Sequence, residues 1–306
     1  MRPVQTVAVY FGVVFLGGAL LAPWLYELLQ WIGGTVPSVH ALAKIPFPRC
    51  LNRSLMIVGL VGLWPVACKL ELRSWAELGL KKSTEWWRGI AGGFGIGCAS
   101  LAVVALAAWV SGARTFDSDR TSVQILWHAA NAGSAAVAVS FVEELFFRGL
   151  LLAGLRKVLD WRLALAVSSL IYAGLHFLQR TELSGAVNWK AGFIVLGSML
   201  QCFGDLDLMI PGFLNLTLTG VLLGFAYHRT GALYLPIGLH AGWIFWLKSY
   251  GFLSREGMES GRWFWGTNKL IDGFLASVVL IIMLGLFVRN YRQLEPARPA
   301  RTKPNP

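Results

Sequence analysis

Eight apolar stretches of this chain are each close to the roughly 20 residues that a helix needs to cross a lipid bilayer. Because every backbone polar group must be hydrogen-bonded within the hydrocarbon region, stretches of this kind form helices. The predicted fold class is therefore all-α: a polytopic membrane helix bundle with about eight transmembrane helices around a buried polar cavity. The stretches span residues 5–29, 54–70, 89–111, 126–155, 161–179, 210–228, 231–251 and 270–289.

The composition excludes an ordinary soluble domain. Only 14% of the residues are charged and 56% are hydrophobic, whereas soluble domains carry about 25% charged residues. The formal net charge of +11 does not indicate nucleic-acid binding, since basic residues in a membrane protein fix loops on the cytoplasmic side and contact anionic lipid. The 4 cysteines show no paired spacing, so neither a disulfide framework nor a thiolate zinc site is expected.

The distribution of lysine and arginine predicts the orientation in the membrane. More of these residues lie in segments that are cytoplasmic if the N-terminus is cytoplasmic. We therefore expect an integral membrane protein with both termini in the cytoplasm. The compact size and the lack of organelle signals indicate a bacterial inner (plasma) membrane. The segment from Val187 to Met209 is apolar but carries two aspartates, and we expect an interfacial or re-entrant helix there.

Three charged residues interrupt the fourth apolar stretch. Glu143, Glu144 and Arg148 lie within an otherwise apolar run, where one charge costs roughly 3 to more than 10 kcal/mol and is usually functional. Glu144 and Arg148 are four residues apart, so on a helix they can form an ion pair. Glu143 lies about 100° around the helix from Glu144 and is free to face another group. The alternative is that all three charges only join this helix to its neighbours.

Two histidines also lie inside apolar stretches. His176 follows Tyr172 by four residues, and His240 lies in a Gly-Leu-His-Ala sequence. A single intramembrane histidine is as often a hydrogen-bond donor between helices as a catalytic group. Two of them, together with a glutamate left over from ion pairing, favour a reactive site.

These motifs, in this order, resemble those of the CAAX prenyl protease and bacteriocin-processing (CPBP, abortive-infection) family of glutamic intramembrane endopeptidases. The resemblance covers approximately residues 78–247. It implies that Glu143 is the general base that activates water, that His176 helps to hold this water, and that His240 stabilises the oxyanion. Glu144, Arg148 and Tyr172 would be supporting residues.

The chain departs from the family pattern at two of these positions. Tyr172 stands where the family often has phenylalanine, which adds a hydroxyl group. Ile244 stands where the prenyl-protease branch has asparagine, four residues after the third-motif histidine. This second departure affects both the oxyanion pocket and the assignment to the prenyl-protein branch.

The resemblance implies an intramembrane endopeptidase that cleaves a membrane-tethered or hydrophobic peptide near its C-terminus, with no cofactor and no metal. One glutamate and two histidines can also bind zinc, but the His-Glu-x-x-His motif is absent and the histidines lie on different spans. A non-catalytic scaffold or immunity protein on the same fold is the main alternative. A transporter with Glu143 as proton carrier is a third possibility, although no repeat symmetry between the two halves supports it.

The resemblance also predicts how the chain is divided. Residues 1–77 would form N-terminal transmembrane helices, residues 78–251 the protease core, and residues 252–306 a C-terminal transmembrane helix and a basic tail. The expected partners are the peptide or protein substrate and the lipid bilayer. The oligomeric state is not predicted.

Overall fold

The computed structural model describes residues 3–176, 183, 185–201, 206–257, 261–267 and 269–291 of the 306-residue chain. The structure is 79% helical, which confirms the predicted all-α helix bundle. The basic tail from Pro296 to Pro306 lies outside the described residues. The elements are α1 (Pro3–Thr35), a 3₁₀ helix (Pro37–Lys44), α2 (Phe47–Lys69), α3 (Trp86–Val110), β1 (Arg114–Phe116), α4 (Ser122–Glu144), a π-helical segment (Leu145–Leu152), α5 (Ala153–Leu155), α6 (Trp161–His176), α7 (Ala191–Gln201), α8 (Leu206–Thr230), α9 (Tyr234–Leu253), β2 (Ser254–Glu256), α10 (Arg262–Trp265) and α11 (Phe274–Tyr291).

Each predicted apolar stretch falls on a helix, although the bounds differ. Four helices among the described residues are long and apolar enough to cross a membrane: Gln5–Thr35, Phe47–Lys69, Trp86–Val110 and Ile210–Thr230. Shorter or more polar helices account for the other stretches, including α9, which carries His240, and α11. The segment predicted to be interfacial or re-entrant contains a separate short helix, α7, and the beginning of α8.

Two helices at the centre of the bundle, α3 and α9, approach each other through glycines. A methyl group at Gly93 or Gly97 of α3, or at Gly238 or Gly242 of α9, would overlap backbone atoms of the opposite helix. Small residues four positions apart allow this close approach in membrane proteins. Because Gly238 and Gly242 face α3, helical geometry turns His240 to the opposite side of α9.

A short two-stranded antiparallel sheet joins the ends of these two helices. In it, β1 follows α3 and β2 follows α9, with Thr115 opposite Arg255. Burial raises the pKa of Asp117, but the backbone N–H of Asp119 and the guanidinium groups of Arg120 and Arg255 outweigh this effect and hold the pKa below its usual range. This strand pair connects the ends of α3 and α9 at a second point, outside the apolar part of the bundle.

The helix that carries the glutamates begins at a well-defined cap. The Thr121 hydroxyl accepts a hydrogen bond from the backbone N–H of Gln124, and the Gln124 side chain accepts one from the backbone N–H of Thr121. This reciprocal capping box satisfies backbone donors at the first turn. Since α4, the π-helical segment and α5 run without a break, the cap sets where the glutamates lie along one long helix.

The N-terminal helices have a core of their own. α1 and α2 form a hairpin that packs with α7 through a cluster of buried apolar residues, separate from the main core of the bundle. Near the main core, the rings of Tyr10 and Phe11 on α1 contact Phe146, with centroids 5.7 and 5.9 Å apart. The cluster consists of Ala19, Ala22, Phe47, Leu51, Ala191, Val195 and Met199.

Candidate active site

Glu144 is at the centre of a buried ion-pair network. Its side chain is 0% exposed, and its Oε1 atom accepts hydrogen bonds from Arg148 Nη1 and from His240 Nδ1, both at 2.8 Å. The spacing of four residues predicted the first contact, while the second joins helices that are far apart in the sequence. A buried carboxylate needs such partners because burying an unpaired charge is strongly unfavourable.

Arg148 connects this network to two further helices. Its Nη2 atom donates a hydrogen bond to the backbone carbonyl of Gly220 on α8 at 3.3 Å. Its guanidinium group lies 4.8 Å from the ring centroid of Tyr172 on α6, a distance at which a cation is attracted to an aromatic face. Arg148 is 1% exposed, so it holds α4, α6 and α8 together from within the bundle.

The helix changes its winding directly after Glu144. Residues Leu145–Leu152 form a π-helical segment, and nearly all of them are buried. Short π-helical turns inside α-helices are uncommon and occur frequently at functional sites. Here the segment begins immediately after the glutamates and contains Phe147, whose ring packs edge-to-face on Tyr172 with the centroids 4.9 Å apart.

Glu143 faces two imidazole rings. Its Oε2 atom lies 3.4 Å from His176 Nε2 and 3.8 Å from His240 Nε2. The same oxygen has no hydrogen-bond partner among the described residues. Unlike Glu144, Glu143 is partly accessible, with 26% of its side chain exposed. The prediction that Glu143 would be left over from ion pairing therefore agrees with its position.

The other ring nitrogen of each histidine is held by an acceptor. His176 Nδ1 lies 2.8 Å from the backbone carbonyl oxygen of Tyr172, and His240 Nδ1 lies 2.8 Å from the Glu144 carboxylate. Since a carbonyl or carboxylate oxygen only accepts, each Nδ1 atom carries a proton. Both Nε2 atoms are therefore presented to Glu143, where each can bind a water molecule or donate when the ring is doubly protonated.

The Glu143 side of the site opens into a cavity of about 530 Å³. Glu143 and His176 contribute polar groups to its wall, together with Asn52 on α2. The rest of the wall is almost entirely apolar and comes from α1, α2, the glutamate helix, α6 and α7: Tyr10, Phe11, Val14, Phe15, Leu55, Met56, Gly59, Leu60, Leu63, Val142, Phe146, Phe147, Leu175 and Met199. Such a cavity can hold an apolar ligand beside a few orienting polar groups.

All six residues predicted for the site come together in the structure. Glu143, His176 and His240 form the open group, while Glu144, Arg148 and Tyr172 surround it. Sequence reasoning did not identify Asn52, because α2 lies outside the resemblance, or the Gly220 carbonyl, because a backbone acceptor leaves no mark in the sequence.

Ile244 does not supply a polar group to this site. It lines a second, smaller cavity of about 40 Å³ together with Tyr172, His240 and Thr219. The Tyr172 ring is buried, with its centroid 6.2 Å from that of His240. Within the described part of the chain, no group of three or more His, Cys, Asp or Glu residues has an arrangement that could hold a metal ion.

One comparison with known proteins gives a match. Residues 124–246 match a protein-family model described as type II CAAX prenyl endopeptidase Rce1-like. All six site residues lie within these bounds. This segment is similar to the Rce1-like family. The predicted resemblance is thereby confirmed for the part of the chain that carries the site, and the apolar helices support an integral membrane protein.

The Rce1-like segment leaves the two ends of the chain unassigned. It begins within α4 and ends within α9, so α1, α2 and α3 are outside it. Neither the comparison with curated proteins nor that with solved structures gives a match. The family is a protease family, which supports a peptidase in general terms.

Proposed function

We propose that this protein is an intramembrane endopeptidase that cleaves a membrane-tethered or hydrophobic peptide near its C-terminus, with Glu143 as the base that activates water. The observation that carries this proposal is the convergence of His176 Nε2 and His240 Nε2 on Glu143 Oε2, at 3.4 and 3.8 Å. Among the described site residues, Glu143 is the carboxylate that faces both imidazoles and also lines the large cavity. Glu144, in contrast, is fully buried and is bound through Oε1 by Arg148 and His240.

The reaction follows from this arrangement. Glu143 takes a proton from water, whose oxygen bonds to the carbonyl carbon of the scissile peptide while the carbonyl π electrons move to oxygen. His176 Nε2 holds the attacking water. The resulting tetrahedral intermediate then collapses, the C–N bond breaks, and the proton on Glu143 passes to the leaving nitrogen. General acid–base catalysis of this kind contributes typically about 10²- to 10⁴-fold to the rate.

His240 is placed to stabilise the intermediate. Its Nδ1–H is held by Glu144, so it donates to the oxyanion through Nε2 in its doubly protonated form. A donor aimed at the oxyanion is typically worth about 2.7–4 kcal/mol of transition-state stabilisation. Glu144 and Arg148 act through His240 and are positioning residues. No metal takes part in these steps.

Two observations support the proposed substrate class: the cavity wall and the family description. A cavity wall that is almost entirely apolar favours a substrate with a hydrocarbon or other apolar part. The family description names CAAX prenyl endopeptidases, and a prenylated C-terminal peptide combines a lipid with a scissile peptide bond. Residues 78–251 form the catalytic unit in this proposal, flanked by residues 1–77 and 252–306.

The proposed location is the bacterial inner membrane, with both termini in the cytoplasm. Supporting this orientation, more lysines and arginines lie at the end of the bundle where α2 and α8 end. Fusions of a periplasm-dependent reporter enzyme to the C-terminus test it. An inactive reporter at the C-terminus and an active one inserted in the loop between α1 and α2 are expected, and the reverse result contradicts the orientation.

The function is tested with purified protein in liposomes and a fluorogenic, farnesylated CAAX peptide. Wild type should cleave the peptide, and Glu143→Gln should lose at least about 10³-fold in kcat while keeping its melting temperature. Glu27→Gln, which changes an exposed glutamate on α1, is the matched control and should retain activity. If the folded Glu143→Gln variant cleaves as well as wild type, the proposal fails and a non-catalytic scaffold is favoured. Cleavage of only the non-prenylated peptide would contradict the substrate class.

A further inference from the structure

The wall of the large cavity opposite the catalytic residues comes from helices outside the Rce1-like segment. One face of α2 lines the cavity along about three turns, with cavity residues spaced three or four apart from Asn52 to Leu63. At 1.5 Å per residue, this face is about 16 Å long. Tyr10, Phe11 and Phe15 of α1 complete the wall. The N-terminal helix pair therefore faces any substrate that reaches Glu143.

This wall offers few polar groups. The Tyr10 hydroxyl already donates a hydrogen bond to the Gly59 carbonyl at 2.7 Å, so it is occupied within the wall. Asn52 differs from it, because its side-chain amide makes no hydrogen bond to any residue that the structure describes. Asn52 is partly exposed and lines the cavity, so its amide, with two donor hydrogens and an acceptor oxygen, is available to a ligand there.

A second asparagine, Asn215, has an amide whose hydrogen bonds join two helices, and it serves as a comparison for Asn52. Asn215 on α8 is fully buried, and its Nδ2 atom donates hydrogen bonds to the carbonyls of Ile271 and Gly273 at 2.7 and 2.9 Å. Its Oδ1 atom accepts one from the Ser277 hydroxyl at 2.6 Å. Asn215 thus joins α8 to the beginning of α11. Asn52 has none of these contacts, so joining helices does not account for it.

We infer that Asn52 is a positioning residue for the substrate: its amide binds a backbone peptide group of the bound peptide, while the apolar part of the substrate packs on the rest of the α1–α2 wall. The inference rests on the proposed function. Asn52, Glu143 and His176 line the same cavity. A bound peptide carries backbone N–H and C=O groups that need partners in an apolar surround. Few, well-placed polar groups in an apolar pocket are what fixes a ligand's orientation.

The inference predicts an effect on binding rather than on chemistry. With the farnesylated peptide in liposomes, Asn52→Leu should raise KM about tenfold, the effect of losing one hydrogen bond of ordinary strength, and leave kcat within about twofold. Asn52→Gln keeps the amide and should recover part of this loss. Ile57→Leu, an apolar exchange on α2 outside the cavity wall, is the matched control and should leave KM unchanged. Melting temperatures are measured for all variants.

The outcomes separate the two proposals. If wild type cleaves and Asn52→Leu has an unchanged KM, this inference is wrong while the proposed function stands. An equal rise in KM for Ile57→Leu also overturns it, since the effect would then not be specific to the amide. If Asn52→Leu does not fold, Asn52→Ala replaces it, and failure of both to fold shows a structural role and overturns the inference. If wild type cleaves no peptide, both proposals fall.

Discussion

Glu143 and Glu144 are neighbours in the sequence but occupy different environments in the structure. Glu144 is fully buried, and one of its oxygens accepts hydrogen bonds from an arginine and a histidine. Glu143 is partly exposed to a cavity, and its Oε2 atom has no hydrogen-bond partner among the described residues. The same side chain can therefore hold helices together or remain available for chemistry, depending on which side of one helix it occupies.

The comparison also shows how the two sides depend on each other. His240 bonds to Glu144 through Nδ1 and faces Glu143 through Nε2. Glu144 thus orients the His240 ring, and in the proposed mechanism this ring acts together with Glu143. Substitutions that remove a contact of Glu144 should mainly lower the stability of the fold. Substitutions at Glu143 or His176 should lower only the catalytic rate.

The largest effect is expected from replacing Arg148, the cation that is paired with Glu144. Arg148→Met leaves Glu144 without its guanidinium partner and should lower the free energy of unfolding by about 3–5 kcal/mol, the usual cost of breaking a buried ion pair. Expression yield and thermal unfolding in detergent measure it. The double variant Arg148→Met with Glu144→Gln should recover part of the stability, because the unpaired charge is gone. A single variant as stable as wild type would contradict the structural role of this pair.

The next effect should be confined to activity. His176→Phe keeps a ring of similar shape but removes the Nε2 atom that faces Glu143, so kcat should fall about 100-fold or more with little change in melting temperature. His128→Phe makes the same exchange outside the site, where the ring stacks on Phe252 with the centroids 4.1 Å apart. It should retain activity. Equal losses for both variants would show that the effect of His176→Phe is not specific to the site.

Two adjacent residues of α2 lie on different faces of the helix, and a comparison of their variants tests the role of the cavity wall. Leu60 lines the cavity, whereas Val61 does not and is 73% exposed. Leu60→Trp should obstruct the cavity and lower kcat/KM about tenfold, while Val61→Trp should have no effect. Cleavage of the farnesylated peptide provides the measurement. The opposite order would mean that substrate reaches Glu143 by another route.

Metal removal should have the smallest effect. Treatment with 1,10-phenanthroline, followed by metal analysis of the protein, should leave the cleavage rate unchanged, because the proposed steps use only Glu143, His176 and His240. Loss of activity that zinc restores would contradict the mechanism and would favour the alternative in which one glutamate and two histidines bind the metal.

The sequence predicted the parts of this structure that depend on local periodicity. Each apolar stretch proved to be helical, and the four-residue spacing of Glu144 and Arg148 gave their ion pair directly. The hydrogen bond between Glu144 and His240 could not be predicted in this way, because it depends on how α4 and α9 pack. The glycines at 238 and 242 indicate close packing but not which helix lies on the other side of α9.

Other features left little or no signal in the sequence. The π-helical segment has an ordinary apolar composition, so its winding could not be predicted from the sequence. The two strands are only three residues long, which is too short for a recognisable alternation. The contribution of α1 and α2 to the cavity was missed because the resemblance began only at Leu78.

The central claim is that the two adjacent glutamates have different roles, and one paired measurement tests it most directly. Glu143→Gln and Glu144→Gln are purified in parallel, and the melting temperature and the rate of cleavage of the farnesylated peptide are measured for each. The account predicts that Glu143→Gln melts like wild type but is inactive, whereas Glu144→Gln loses stability because Arg148 is left without its counter-charge. An active, normally folded Glu143→Gln variant, or a Glu144→Gln variant with unchanged stability, would contradict the account.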